Sequence, residues 1–110
     1  MSGRKDRDVR SEFDAAVNMT ASELERWLKT DESKGVGQSQ NGEESVGHES
    51  GRQIIKILRS KRNDLSSADH EHMRKVVGYI HRHSVQRPSG DIQESRWRYS
   101  LMNWGHDPSK

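Results

Sequence analysis

The residues most able to do chemistry are six histidines and a set of cations concentrated in the second half of the chain. Four histidines form two tight pairs, His70-Glu71-His72 and His81-Arg82-His83. A zinc ion needs ligands converging within about 2 Å of one point. Residues two apart on a helix point roughly 200° away from each other, so neither pair chelates. His70 and His81 share a face but lie about three turns apart. These histidines are expected to face solvent, and no metal or other cofactor is expected.

Nucleophilic chemistry has no better footing. There is no cysteine, which removes thiolate catalysis, thiolate metal sites and disulfides together. No serine sits in a GxSxG context. A glycine-bearing stretch runs into a helix start through Gly47, Ser50, Gly51 and Arg52, and free N–H groups at such a start attract anions. It lacks GxxxxGK[ST] and a preceding strand, so it is not a nucleotide P-loop. Glu43, Glu44 and Glu49 would also repel a phosphate. The expectation is a non-enzymatic protein.

The cations are arranged more pointedly. Arg52, Lys56 and Arg59 fall at i, i+4 and i+7 of one predicted helix, with Lys61 and Arg62 just beyond it. Lys75 and Arg82 lie on the next helix, opposite Met73, Val76 and Ile80. If the two basic faces adjoin, they form a patch able to neutralise several phosphates. If they do not, they are the solvated faces of an amphipathic pair. The short connection at about 63–66 makes the helices neighbours, and a helix-turn-helix is one arrangement this allows. Against it, the second helix is long for a recognition helix and the turn has no glycine.

The elements that position these residues are all helical; no segment alternates apolar and polar residues as a strand would. Val9, Phe13 and Val17 predict a first helix over about 6–18. Thr20 and Glu23 form a T-x-x-E capping box for a helix over about 21–32, with Leu24, Trp27 and Leu28 on one stripe. Ser50 and Gln53 predict a box opening a helix over 51–62, with Ile54, Ile55 and Leu58 inward and Ile57 on the flank. Ser66 and Asp69 open 67–86, which Pro88 stops. Asp91 and Glu94 predict a start for 92–104, with Gly105 at the C′ position. Trp27, Trp97 and Trp104 are read as core, and Tyr99 as part of a polar surface with Arg96 and Asn103. Residues 33–49, rich in Gly, Ser, Gln and Glu, read as a flexible loop. The fold class is therefore all-α: a compact bundle of four to five helices in one domain, 1–110, with the 33–49 loop inside it.

Composition sets limits on that bundle. Only 28% of residues are hydrophobic while 33% are charged, so the core must be lean. The near balance of 19 basic and 17 acidic residues keeps self-repulsion small and favours a folded chain over a disordered one. Charge is split by halves: residues 1–50 carry −4 and residues 51–110 carry +6. Such a split points to an anionic partner for the basic half, or to attraction between the halves. No apolar run approaches the roughly 18–20 residues of a membrane span, and the first residues have no apolar core of a signal peptide. A soluble, cytoplasmic protein without membrane contact is expected.

The segments NMTASELERWL (18–28), ESVGHESGRQIIKILRSKR (44–62), HMRKVVGYIHRHSVQRP (72–88) and SRWRYSLMNWGHDPSK (95–110) resemble a family of small microbial proteins of unknown function. Its members often carry the label "DNA-binding protein", and the resemblance covers nearly the whole chain. It implies DNA as the partner, which would place the protein at the nucleoid, and it brings no functional residues with it. The leading expectation is a DNA-binding protein of low sequence preference. It would contact phosphates through Arg52, Lys56, Arg59, Lys61, Arg62, Lys75 and Arg82. The alternative is a protein-interaction module using the acidic N-terminal half or the 33–49 loop.

Overall fold

The four-residue recurrence of Val9, Phe13 and Val17 lies on or just beyond the first helix, α1 (Ser2–Ala16), and all three side chains are buried. The computed structural model describes residues 2–36 and 46–110, and within them every side chain except those of residues 2–8, 46 and 62. Among the described residues there are six α-helices and no strand: α1, α2 (Ala21–Leu28), α3 (Asp31–Val36), α4 (Val46–Arg59), α5 (Ser67–Ser84) and α6 (Arg96–Asn103). A 3-10 turn, Arg62–Asp64, joins α4 to α5. No described helix is long and apolar enough to cross a membrane.

Helix α1 lies on α5, α2 on α4, α3 on α6, and α4 also on α5. Their inward stripes meet in one cluster around Phe13, Leu24, Ile54, Ile57, Met73, Val76 and Leu101. The radius of gyration, 14.0 Å, is close to the roughly 13 Å expected of a compact chain of this length.

Two of the predicted capping boxes are formed. Thr20 Oγ accepts from Glu23 N–H while Glu23 Oε1 accepts from Thr20 N–H, and Ser66 and Asp69 do the same for α5. The Asp91–Glu94 box is not formed. Asp91 instead accepts from Gln93 N–H two residues on, and the cap of α6 is Ser95, whose Oγ takes Arg98 N–H. The helix therefore begins at Arg96 rather than near 92.

The largest departure concerns the 33–49 loop. Residues 33–36 belong to α3 and 46–49 to α4, so its two ends are helical; 37–45 lie outside the described residues. The Ser50–Gln53 box has no helix start to cap, because α4 begins at Val46. Ser50 is instead buried inside α4, its Oγ in a 2.9 Å hydrogen bond with His72 Nε2. Gly51 is there for space. A Cβ on it would stand 2.8 Å from the Asn103 carbonyl oxygen and 2.9 Å from both Leu28 methyls. Glycine lets α4 settle against α2 and the end of α6, and this rotation places Ile54 and Ile57 in the core, with Ile55 and Leu58 only half-buried.

The aromatic residues divide similarly. Trp104 is buried and stacks on Tyr79 at 4.2 Å between centroids. Trp27 and Trp97 are half-buried, each with its indole N–H satisfied: Trp27 donates to Asn103 Oδ1 and Trp97 to the His83 carbonyl. Tyr99 is not on an open polar surface; its ring packs on Trp27 at 5.3 Å. Asn103, read with it as surface, is 2% exposed.

The close approach at Gly51 predicts that Gly51→Ala destabilises the protein by about 1–3 kcal/mol, as overpacking against backbone does. Gly35→Ala, in a helix with nothing within 4 Å of the added carbon, should be neutral or stabilising by up to about 1 kcal/mol. Urea midpoints of the two variants measure the contrast; equal midpoints would show that α4 is not held against Asn103 as described.

Candidate nucleic-acid interface

Helix α4 carries its charges where the spacing places them. Arg52, Lys56 and Arg59 are all exposed, on the side away from Ile54 and Ile57. Lys56 and Arg59 have carboxylate neighbours on other helices. Arg59 donates to Glu25 Oε2 at 3.1 Å, and Lys56 Nζ lies 3.8 Å from Asp69 Oδ1. The Arg59 guanidinium keeps the Glu25 carboxyl below its ordinary range, and Asp69 is held down chiefly by the Ser66 N–H of the α5 cap. Both partners are therefore anionic at neutral pH. Surface pairs of this kind are worth about 0–1 kcal/mol, so they orient the cations without removing them from use.

Lys61 is exposed just beyond α4. Arg62 opens the 3-10 turn, and its side chain lies outside the described residues. Lys75 and Arg82 are exposed on the outer face of α5, where Arg82 folds back over Gly78. The contacts between α4 and α5 fix how the two groups relate. Ser50 meets His72 and Lys56 meets Asp69, so the helices run antiparallel. From the Ser50–His72 contact, Arg52, Lys56 and Arg59 follow α4 towards the beginning of α5. Lys75 and Arg82 follow α5 in the opposite direction, and Glu49 stands near the junction with a charge felt at His72. The six whose side chains are described thus form two groups, Arg52, Lys56, Arg59 and Lys61 on one side of an acidic residue and Lys75 and Arg82 on the other. Lys29 and Lys34, in the acidic half of the sequence, share a cleft with Arg52; local charge counting could not place them there.

The histidines expected to face solvent are mostly engaged. His72 is half-buried between Ser50 and Trp104, with a ring separation of 6.3 Å from the indole. His83 stacks on Tyr79 at 4.5 Å. His70 donates Nδ1–H to the Ser66 carbonyl and His106 to the Ala16 carbonyl; His81 is exposed. Burial is the largest influence on His72 and lowers it; Lys75 adds to this, while the Ser50 backbone, Asp69 and Glu49 oppose it. Burial and Arg82 likewise lower His83.

A histidine depressed on folding binds its proton more tightly when unfolded. Its contribution to stability is present above the ordinary value of 6.5 and is lost as the pH falls through the folded value. The melting temperature should drop between pH 7.5 and about 5.5, before the carboxylates begin to titrate. His72→Gln, which keeps a polar atom near the Nε2 position but cannot be protonated, should flatten much of that drop. An unchanged slope would assign the pH dependence to other groups.

No curated protein and no solved structure matches the chain. One family model does, over residues 12–102, and its description is "protein of unknown function (DUF3140)". That span leaves out most of α1 and, at the other end, Asn103 and the residues after α6, and the chain belongs to this family.

Proposed function

We propose that the protein binds DNA through its phosphates, without base-specific readout, using the exposed face of α4. The observation that carries this reading is the row Arg52, Lys56 and Arg59, all exposed on one helical face. The row extends about 10 Å along the helix axis, which is about three base steps of a strand. Its internal ion pairs are weak enough for phosphates to displace. Lys61 extends the same group. Lys75 and Arg82, on the far side of Glu49, belong to a second and lesser contact. Phosphate contacts position a protein on a duplex but carry no sequence information.

The other partner class is a protein docking on the acidic half, and it has less support. Glu23 is drawn down to about 2 by Lys110 and the Thr20 N–H, and Glu25 is engaged by Arg59. Much of the acidity near α2 is thus already matched by cations within the chain.

Fluorescence anisotropy of a labelled random duplex tests the proposal. Binding should weaken by orders of magnitude between about 50 and 200 mM salt. The triple variant Arg52→Ala, Lys56→Ala, Arg59→Ala should keep its helicity and lower the slope of log K against log salt by about 2–3. Lys75→Ala with Arg82→Ala should change the slope less. No binding by the intact protein at low salt, or equal affinity in the triple variant, would overturn the proposal.

A further inference from the structure

A cleft of about 470 Å3 opens between α2, α3 and α4. Its size falls in the range of about 300–1,000 Å3 typical of small-ligand sites. The stripe His48, Arg52, Ile55, at i, i+4 and i+7 of α4, forms one side; Leu28 and Lys29 at the end of α2 form the other, and Lys34 of α3 closes the end. The His48 ring is fixed by donating Nε2–H to the Leu28 carbonyl at 2.6 Å. That bond satisfies one of the carbonyls left without a partner at the end of α2, so the wall is a built part of the fold.

Its chemistry is two-sided. Leu28 and Ile55 give an apolar floor, and Lys29, Lys34 and Arg52, all exposed, surround the mouth. Glu25 is the one carboxylate among the described lining residues, and Arg59 lies against it at 3.1 Å. Among the described lining residues the balance is positive, over an apolar base. A purely ionic ligand would gain nothing from the floor, and a purely apolar one would gain nothing from the cations at the rim. We propose that this cleft binds a small amphiphilic anion, its carboxylate or phosphate held by Lys34 and Arg52 and its apolar body lying over Leu28 and Ile55. The second described cavity, beside Asp91, Gln93, Glu94 and Ser95, has acidic walls and no apolar floor, and suits no such ligand.

Neither Lys34 nor Ile55 is among the residues assigned to DNA, so the cleft is tested independently of the duplex experiment. Titration calorimetry of the full chain with decanoate and decyl phosphate, below their micellar concentrations, should give saturable binding. Decanol should bind at least about tenfold more weakly, since it forms no ion pair at the rim. Tighter binding of one anion identifies the head group as carboxylate or phosphate. Lys34→Glu should weaken both anions by about tenfold and Lys34→Arg should retain them, each with an unchanged melting temperature. Ile55→Ser should weaken both anions and decanol alike. No saturable binding of either anion, equal affinity for decanol, or indifference to Lys34→Glu would each overturn the proposal.

Discussion

The arrangement of the helices turns on the side chain of Asn103. It is buried at the end of α6, where Oδ1 accepts from Trp27 Nε1 and from Ser33 Oγ and Nδ2 donates to the Ser33 carbonyl. One amide thereby ties α2, α3 and α6 at a point that water does not reach. Helix α3 has only six residues and a single buried one, Ser33, so apolar packing cannot hold it. The bonds to Asn103 can, because leaving any of these groups buried and unpaired costs about 1–3 kcal/mol. The backbone oxygen of the same residue meets Gly51, which sets the depth at which α4 lies. The cationic face and the cleft both inherit their positions from this junction.

A chain with so few apolar residues closes its ends by polar contacts as well. Gly105, at a φ of 83° that only glycine adopts readily, presents its carbonyl to the N–H groups of Asn18 and Met19. Asn18 exchanges hydrogen bonds with the Asp107 backbone. The Asp107 carboxylate is opposed by its burial, but the Arg98 fork and the Ser109 bonds outweigh that and keep it below its ordinary range. Such paired groups specify one register between the first and last segments. The outward faces of α4 and α5 lie away from this closure and carry Arg52, Lys56, Arg59, Lys75 and Arg82.

What could be read in the sequence was local. The Thr20 and Ser66 caps, the Val9–Phe13–Val17 period and the C′ glycine at 105 each depend on neighbours within a turn or two, and each is where its pattern puts it. The exposed row on α4 was legible for the same reason. Gly47, Ser50 and Gly51 were misread because loops and close helix contacts select the same small residues. What distinguishes them is a partner such as Leu28 or Asn103, more than twenty residues away. Ser33, read as part of the 33–49 loop, and Asn103, read as surface, were hidden likewise: a polar residue reads as exposed unless its buried partner is known. The candidate site was half-legible. Its cations could be named, but their division by Glu49 and the addition of Lys29 and Lys34 follow from antiparallel packing and from the α2–α4 contact.

Arg52 stands at the meeting of the two proposed activities, at the start of the α4 row and on the rim of the cleft. A guanidinium has five donors in a fixed fork and suits carboxylate and phosphate equally, but one fork cannot serve two anions without dividing its interaction. If a duplex phosphate and a cleft-bound anion both draw on it, each lowers the affinity for the other, and by thermodynamic necessity to the same degree. The remaining contacts of the two ligands do not overlap: Lys56, Arg59 and Lys61 lie along the row, Lys29 and Lys34 across the cleft. The antagonism is then bounded by the share of one residue. A small anion of the right shape would loosen the protein from DNA without releasing it, and salt would weaken the duplex contact more steeply than the cleft, whose apolar floor is indifferent to ionic strength.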